Sequence, residues 1–218
     1  MKMDVNCLEA LTYEITEKLH LAVQQKDHAT LAVSGGKTPI KLFQKLAKSA
    51  IAWQNVTIIL VDERCVASES SDSNAHLVRR YLLQERAASA TFIPLYDDMS
   101  IPSSLKNAPK ITDIDVLILG MGDDGHTASL FPNHEKLPEA YNLQSTDFYI
   151  HITPQNTPYE RISMRLKTIL NAQYIFLHVE GKKKKEVLEN ALASGDIYKY
   201  PILSVLRQTL KNIKVYMI

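Results

Sequence analysis

Residues Gly120 to Pro132 read GMGDDGHTASLFP and directly follow the largely apolar run Ile114–Leu119. The stretch displays two carboxylates and an imidazole in a glycine-rich turn. Histidine is the side chain whose ordinary pKa lies nearest neutrality. His126 is therefore a candidate general base, and Asp124, two residues earlier, is placed to hold its tautomer and stabilise its charged form. Gly120 to Gly125 also matches G-x-G-x-x-G, the dinucleotide fingerprint. Asp123 and Asp124 would repel a pyrophosphate at that point, so the dinucleotide reading is set aside. Asp123, Asp124, His126 and His134 fit no familiar zinc spacing. A structural turn whose histidine merely caps a helix stays open on this segment alone.

Other residues could complete a site. Ser34-Gly35-Gly36-Lys37-Thr38-Pro39 follows a short apolar strand and opens a helix, an arrangement suited to an anion. A nucleoside-triphosphate loop needs a further glycine five positions before Gly36, where Leu31 stands. Asp62-Glu63-Arg64 packs three charges after a second apolar run. Asn74 could meet a polar ligand or simply start a helix. The run Lys182 to Lys185 is first a solvated face. Lysines at a helix start oppose the macrodipole, however, and a bound anion would offset that. Arg161, taken alone, reads as half of a surface ion pair.

The elements that would position these residues alternate. Apolar Leu8, Leu11, Ile15, Leu19 and Ala22 predict a helix over 4–25. Strands are expected at Thr30–Val33, Val56–Val61, Thr91–Leu95, Ile114–Leu119, Phe148–Ile152, Tyr174–Val179 and Ile213–Ile218. Helices are expected from Thr38, as N-cap with Pro39 at the first turn, to Ala50, and over Ser73–Leu83, Tyr159–Leu170 and Lys183–Ala193. Residues 97–112, polar with two prolines, read as a surface loop. Alternation of this kind predicts an open, mainly parallel α/β sheet with helices on both faces, Rossmann-like. Such sheets bind ligands at the carboxyl ends of their strands. That would bring Ser34-Gly35-Gly36, Asp62-Glu63-Arg64 and Gly122–His126 to one edge.

Composition narrows the classes. A chain of 218 residues, 45% hydrophobic, supports one core, so a single domain over 1–218 is expected. With 25 Lys+Arg against 24 Asp+Glu it lacks the basic excess of a nucleic-acid binder. Cys7 and Cys65 form no disulfide framework and suit a reducing compartment. The charged, amphipathic N-terminus is no signal core, and no apolar run approaches the roughly 18 residues of a membrane span. A cytoplasmic protein is the expectation, with no nucleic-acid or membrane partner and a homodimer left open.

Taken in order, Ser34–Pro39, Asp62-Glu63-Arg64, Ser73-Asn74, Gly120–Pro132, Arg161-Ile162-Ser163 and Gly181-x-x-Lys184 resemble the 6-phosphogluconolactonases, from about Ser34 to Pro201. The resemblance implies hydrolysis of 6-phospho-D-glucono-1,5-lactone to 6-phosphogluconate in the oxidative pentose phosphate pathway, with a sugar-phosphate substrate, no cofactor and no required metal. It also implies a fold shared with glucosamine-6-phosphate deaminases and ribose-5-phosphate isomerases. The deaminase pattern has a glutamate where Phe131 stands and an aromatic residue where Arg64 stands, so both positions favour the lactonase. Pro201-Ile202-Leu203-Ser204 matches the family's C-terminal proline segment more loosely. On this resemblance His126, Asp124 and Arg64 are catalytic. Ser34, Gly35, Gly36, Thr38, Arg161 and Lys184 hold the phosphate, and Asp62 and Asn74 hold sugar hydroxyls.

Overall fold

The computed structural model describes residues 3–4, 8–96, 98–110, 112–208 and 212–218. Cys7 lies outside them. Ten strands and eight α-helices are found among these residues. In chain order the first half comprises β1 (Met3–Asp4), α1 (Leu8–Lys26), β2 (Ala29–Val33), α2 (Ile40–Leu46), β3 (Val56–Leu60), β4 (Asp62–Arg64), α3 (Asn74–Tyr81), β5 (Thr91–Ile93), α4 (Ile101–Asn107) and β6 (Val116–Leu119). There follow α5 (Leu137–Ala140), β7 (Tyr149–Ile152), β8 (Arg161–Met164), α6 (Leu166–Leu170), β9 (Tyr174–Val179), α7 (Lys182–Ser194), α8 (Ile202–Leu206) and β10 (Asn212–Met217).

Seven strands form one parallel sheet in the order β1-β10-β9-β6-β2-β3-β5. β9, β6 and β2 are the three central strands, and almost every residue in them is buried. A parallel strand covered on both faces has to be apolar on both, which is why these runs stand out in the chain. α1 packs Leu11, Ile15, Leu19 and Ala22 into the core at helical spacing. At the amino ends of the strands Lys26 bridges Asp113 and the buried Asp115, and Asp115 in turn accepts from Thr30 N (2.8 Å). Among the described residues no helix is long and apolar enough to cross a membrane.

The parallel α/β sheet was expected; a second sheet was not. β4, β8 and β7 form a three-stranded antiparallel sheet in that order. It corrects the helix expected over Tyr159–Leu170, because residues 161–164 are strand and only Leu166–Leu170 is helical. Arg161 to Met164 are all buried, wedged between β4 and β7, so no alternation of polar and apolar residues marked them as strand. Asp62-Glu63-Arg64 is likewise strand rather than loop.

Two further expectations are corrected. Thr38 does not cap α2: Pro39 holds the cap position with helical backbone and no side-chain cap bond forms. The helix also stops at Leu46, well short of Ala50, and the Ala47 carbonyl is taken by the N–H groups of Arg86 and Ala87 (3.0 and 3.2 Å). Within 97–112 lies α4, with Ser100 as N-cap accepting from Ser103 N (3.2 Å) and a proline in its first turn. Its only fully buried member is Ser104, and Ile101 and Leu105 alone pack against the core from it, an apolar stripe too short to betray a helix. Ser100→Ala should lower stability by about 1 kcal/mol, read as a shift of the urea midpoint without a change in slope.

Candidate active site

The loops after β2, β3 and β6 meet at the carboxyl edge of the large sheet, around a cleft of about 270 Å³. Ser34, Gly35, Gly36 and Thr38 line one side, and Asp62, Arg64 and Asn74 another. Gly120 to Asp123 and His126 form a third, and Lys184 from α7 completes the wall. Nine of the eleven residues singled out from the sequence are on this lining. Asp124 and Arg161 are not.

Asp124 instead stands behind the imidazole. Its Oδ1 lies 2.6 Å from His126 Nδ1 and accepts the His126 backbone N–H at 3.0 Å. Partial burial works against charge on Asp124, but the bonds from His126 outweigh it and hold the carboxyl below its usual range. A carboxylate accepts only, so Nδ1 is the donor between them, and in the neutral tautomer this selects Nε2 keeps the lone pair. The loop is folded tightly under the ring: Gly122 N donates to His126 O (2.9 Å), and Thr127 Oγ1 to Gly120 O (2.9 Å). A Cβ at Gly122 would lie 2.1 Å from the His126 ring, so only glycine fits there. Phe131 packs tilted against the imidazole, its ring centre 5.0 Å from that of His126. His134 is engaged elsewhere, with Thr153 O and Lys136 N.

Asp62 and Arg64 are held from behind by side chains the sequence did not single out. Ser129 Oγ donates to Asp62 Oδ2 (2.6 Å), and Ser129 N donates to Ser163 Oγ on β8 (3.2 Å). Glu63, buried between them in sequence, accepts from the N–H groups of Arg64, Asn74 and Ala75 (2.7 Å each) and from Ser73 Oγ (3.1 Å). Burial raises its carboxyl against the pull of those N–H groups, and neighbouring Asp62 adds to the rise. Arg64 Nη1 donates to Asp72 O (2.5 Å). Arg161 is Arg64's register partner across β4 and β8 and is 7% exposed, with Nη1 meeting no acceptor among the described residues. Burial and the Arg64 charge lower its pKa. Nearby Cys65 is pushed up to about 12 by burial and acidic neighbours, so it is a neutral thiol and no nucleophile.

Two buried acceptors at the cleft are left unengaged. Ser34 Oγ and Asn74 Oδ1 are buried without a partner among the described residues. Asn74 Nδ2 is fixed to Asp62 O (2.8 Å), which aims the amide oxygen at the Gly35 backbone. Of the lysine run only Lys184 lines the cleft, where its Nζ donates to Thr38 Oγ1 (3.2 Å). Lys183 pairs with Asp123 across the rim (2.7 Å), and Lys182 faces Glu186. The C-terminal proline segment also acquires a place. Ile202 N at the start of α8 donates to Gly125 O (3.1 Å), and Asn133 N donates to Tyr198 O (2.8 Å), so residues 198–202 brace both ends of the histidine loop.

The chain is similar to known proteins over most of its length. A family model described as glucosamine-6-phosphate isomerases/6-phosphogluconolactonase matches residues 4–214. A 6-phosphogluconolactonase of Neisseria meningitidis serogroup A is 38% identical over 216 residues, covering 95% of this chain and 93% of the relative. One of Rhizobium meliloti is 38% identical over 214 residues, covering 95% and 92%. Among solved structures, a 6-phosphogluconolactonase from Shewanella baltica superposes with a TM-score of 0.89 at 38% identity, covering 96% of this chain and 92% of that one. The Thermotoga maritima structure, at 22% identity and a TM-score of 0.81, shares the fold.

A Cβ at Gly35 would fall 1.8 Å from Asn74 Oδ1. Gly35→Ala should therefore expel the Asn74 amide from its seat and cost about 1–3 kcal/mol, measured by chemical denaturation, with the Asn74 side-chain NMR resonances displaced.

Proposed function

Because the chain belongs to the family of glucosamine-6-phosphate isomerases and 6-phosphogluconolactonases, we propose that its cleft hydrolyses 6-phospho-D-glucono-1,5-lactone to 6-phospho-D-gluconate. The observation that carries the reading is the His126–Asp124 pair at one wall of a cleft whose other wall holds Lys184, Thr38 and the Ser34 loop. A δ-lactone is already an activated ester, so a positioned water suffices and no covalent nucleophile is required.

On this reading His126 Nε2 takes a proton from water as its oxygen bonds to C1 of the lactone. Asp124 stabilises the imidazolium that results. Arg64, at the cleft surface, faces the oxygen that gains negative charge. The C1–ring oxygen bond then breaks and the ring oxygen receives the proton from the imidazolium. Asp62 and Asn74 offer acceptors to sugar hydroxyls. Ser34, Gly35, Gly36, Thr38 and Lys184 take the phosphate and so fix the distance from C6 to the reacting carbon. Arg161, which does not line the cleft, adds positive potential behind Arg64 rather than a contact of its own. The setting of this reaction is the cytoplasm.

The direct test is acid release from freshly made lactone, followed with a pH indicator and compared with the spontaneous rate. His126→Ala should depress kcat by about 10²–10⁴-fold with KM less affected. Full turnover in that variant would remove His126 from the role. Lys184→Ala should act mostly on KM, although binding energy remote from the reacting carbon also reaches kcat. Ammonia release from glucosamine 6-phosphate, without lactone hydrolysis, would assign the cleft to the deaminase branch instead.

A further inference from the structure

Away from the cleft, a larger cavity of about 630 Å³ lies between α4 and the outer edge of β7. The small sheet ends at β7, so that strand has a neighbour on one side only. Arg165 N donates to Phe148 O (3.0 Å), which fixes the parity of the β7–β8 ladder. Phe148, Ile150 and Ile152 bond toward β8, and Tyr149 and His151 turn their backbone groups outward. Both residues line the cavity.

The two outward carbonyls are already occupied by cations. Arg165 Nε donates to Tyr149 O (3.2 Å), and Lys136 Nζ donates to His151 O (3.0 Å). The two outward N–H groups have no partner among the described residues. Lys106 and Lys110 also line the cavity, and no carboxylate is paired with either among the described residues. The acids present, Glu139 and Asp147, are both turned to Arg165 (2.8 and 3.7 Å). The backbone carbonyls of this edge are thus taken, while its backbone N–H groups are free. A peptide adding as a further strand would need both kinds of group. An oxyanion needs donors only, and two N–H groups beside two lysines supply them.

We propose that this cavity is a second binding site, for a small polyanion whose phosphate or carboxylate oxygens accept from the Tyr149 and His151 N–H groups while Lys106 and Lys110 supply counter-charge. The volume admits a molecule of metabolite size. The site shares no lining residue with the cleft, so it stands whether or not the cleft is a lactonase.

Backbone NMR of the whole protein tests it, with inorganic phosphate and citrate titrated separately at constant ionic strength. Saturable shifts of the Tyr149 and His151 amides are expected, distinct from those of Gly35 and Gly36 in the cleft. The anion giving the tighter titration tells phosphate from carboxylate recognition. In the double variant Lys106→Ser/Lys110→Ser the edge titration should weaken by about tenfold or more, with the cleft titration and basal turnover unchanged. Edge amides that stay still while the cleft responds, or that move equally with chloride, would overturn the proposal.

Discussion

Glu63 draws three backbone N–H groups and a serine hydroxyl onto one buried carboxylate, and the cleft takes its shape from that knot. The first turn of a helix leaves N–H groups without intrahelical partners. At α3 the carboxylate satisfies two of them, and Ser73, which caps the helix, leans on the same group. Alternation along β4 does the rest. With Glu63 turned into α3, its neighbours Asp62 and Arg64 face the other way, into the cleft. Burial penalises the charge, but charge-assisted bonds and the helix dipole oppose that penalty. The result is one rigid body from β4 to Asn74, carrying three cleft residues in fixed relation.

The two sheets divide the labour. The parallel sheet delivers three loops to one edge, as its topology requires. The small antiparallel sheet stiffens them from behind, through Ser163 to Ser129 and through Ser129 to Asp62. Asp62 is thereby tied at once to the strand that carries it and to the histidine loop. Neither sheet alone would hold the imidazole and the Asp62–Arg64 wall in register.

The parallel half of this design was legible because doubly buried strands must be apolar throughout, so Val56–Leu60 and Val116–Leu119 announced themselves and the polar residues after them marked the edge. The glycine–histidine loop was legible as carboxylates and an imidazole among glycines after an apolar strand, and the structure adds that Gly122 leaves room for the ring. What stayed hidden was hidden by long-range pairing. Arg161 to Met164 form strand only because β4 and β7 lie on either side, and nothing local distinguishes them from the helix that follows. Arg161 is accordingly a buried neighbour of Arg64, out of the cleft lining. α4 turns only Ile101 and Leu105 to the core, too few to mark a helix. Thr38 looked like a helix cap, yet its hydroxyl accepts from Lys184, a residue 146 positions later that no spacing rule could supply.

Residues 198–202 clasp the histidine loop, and β10 follows them as the last strand, with β1 on its outer side. Residues 198–202 and β10 lie after the loop in the chain and so leave the ribosome later than it does. A nascent chain can therefore lay down β2, β3, β6 and β9 in order and still lack the clasp on residues 125–133. The turn that carries His126 is thus made well before the segment that secures it.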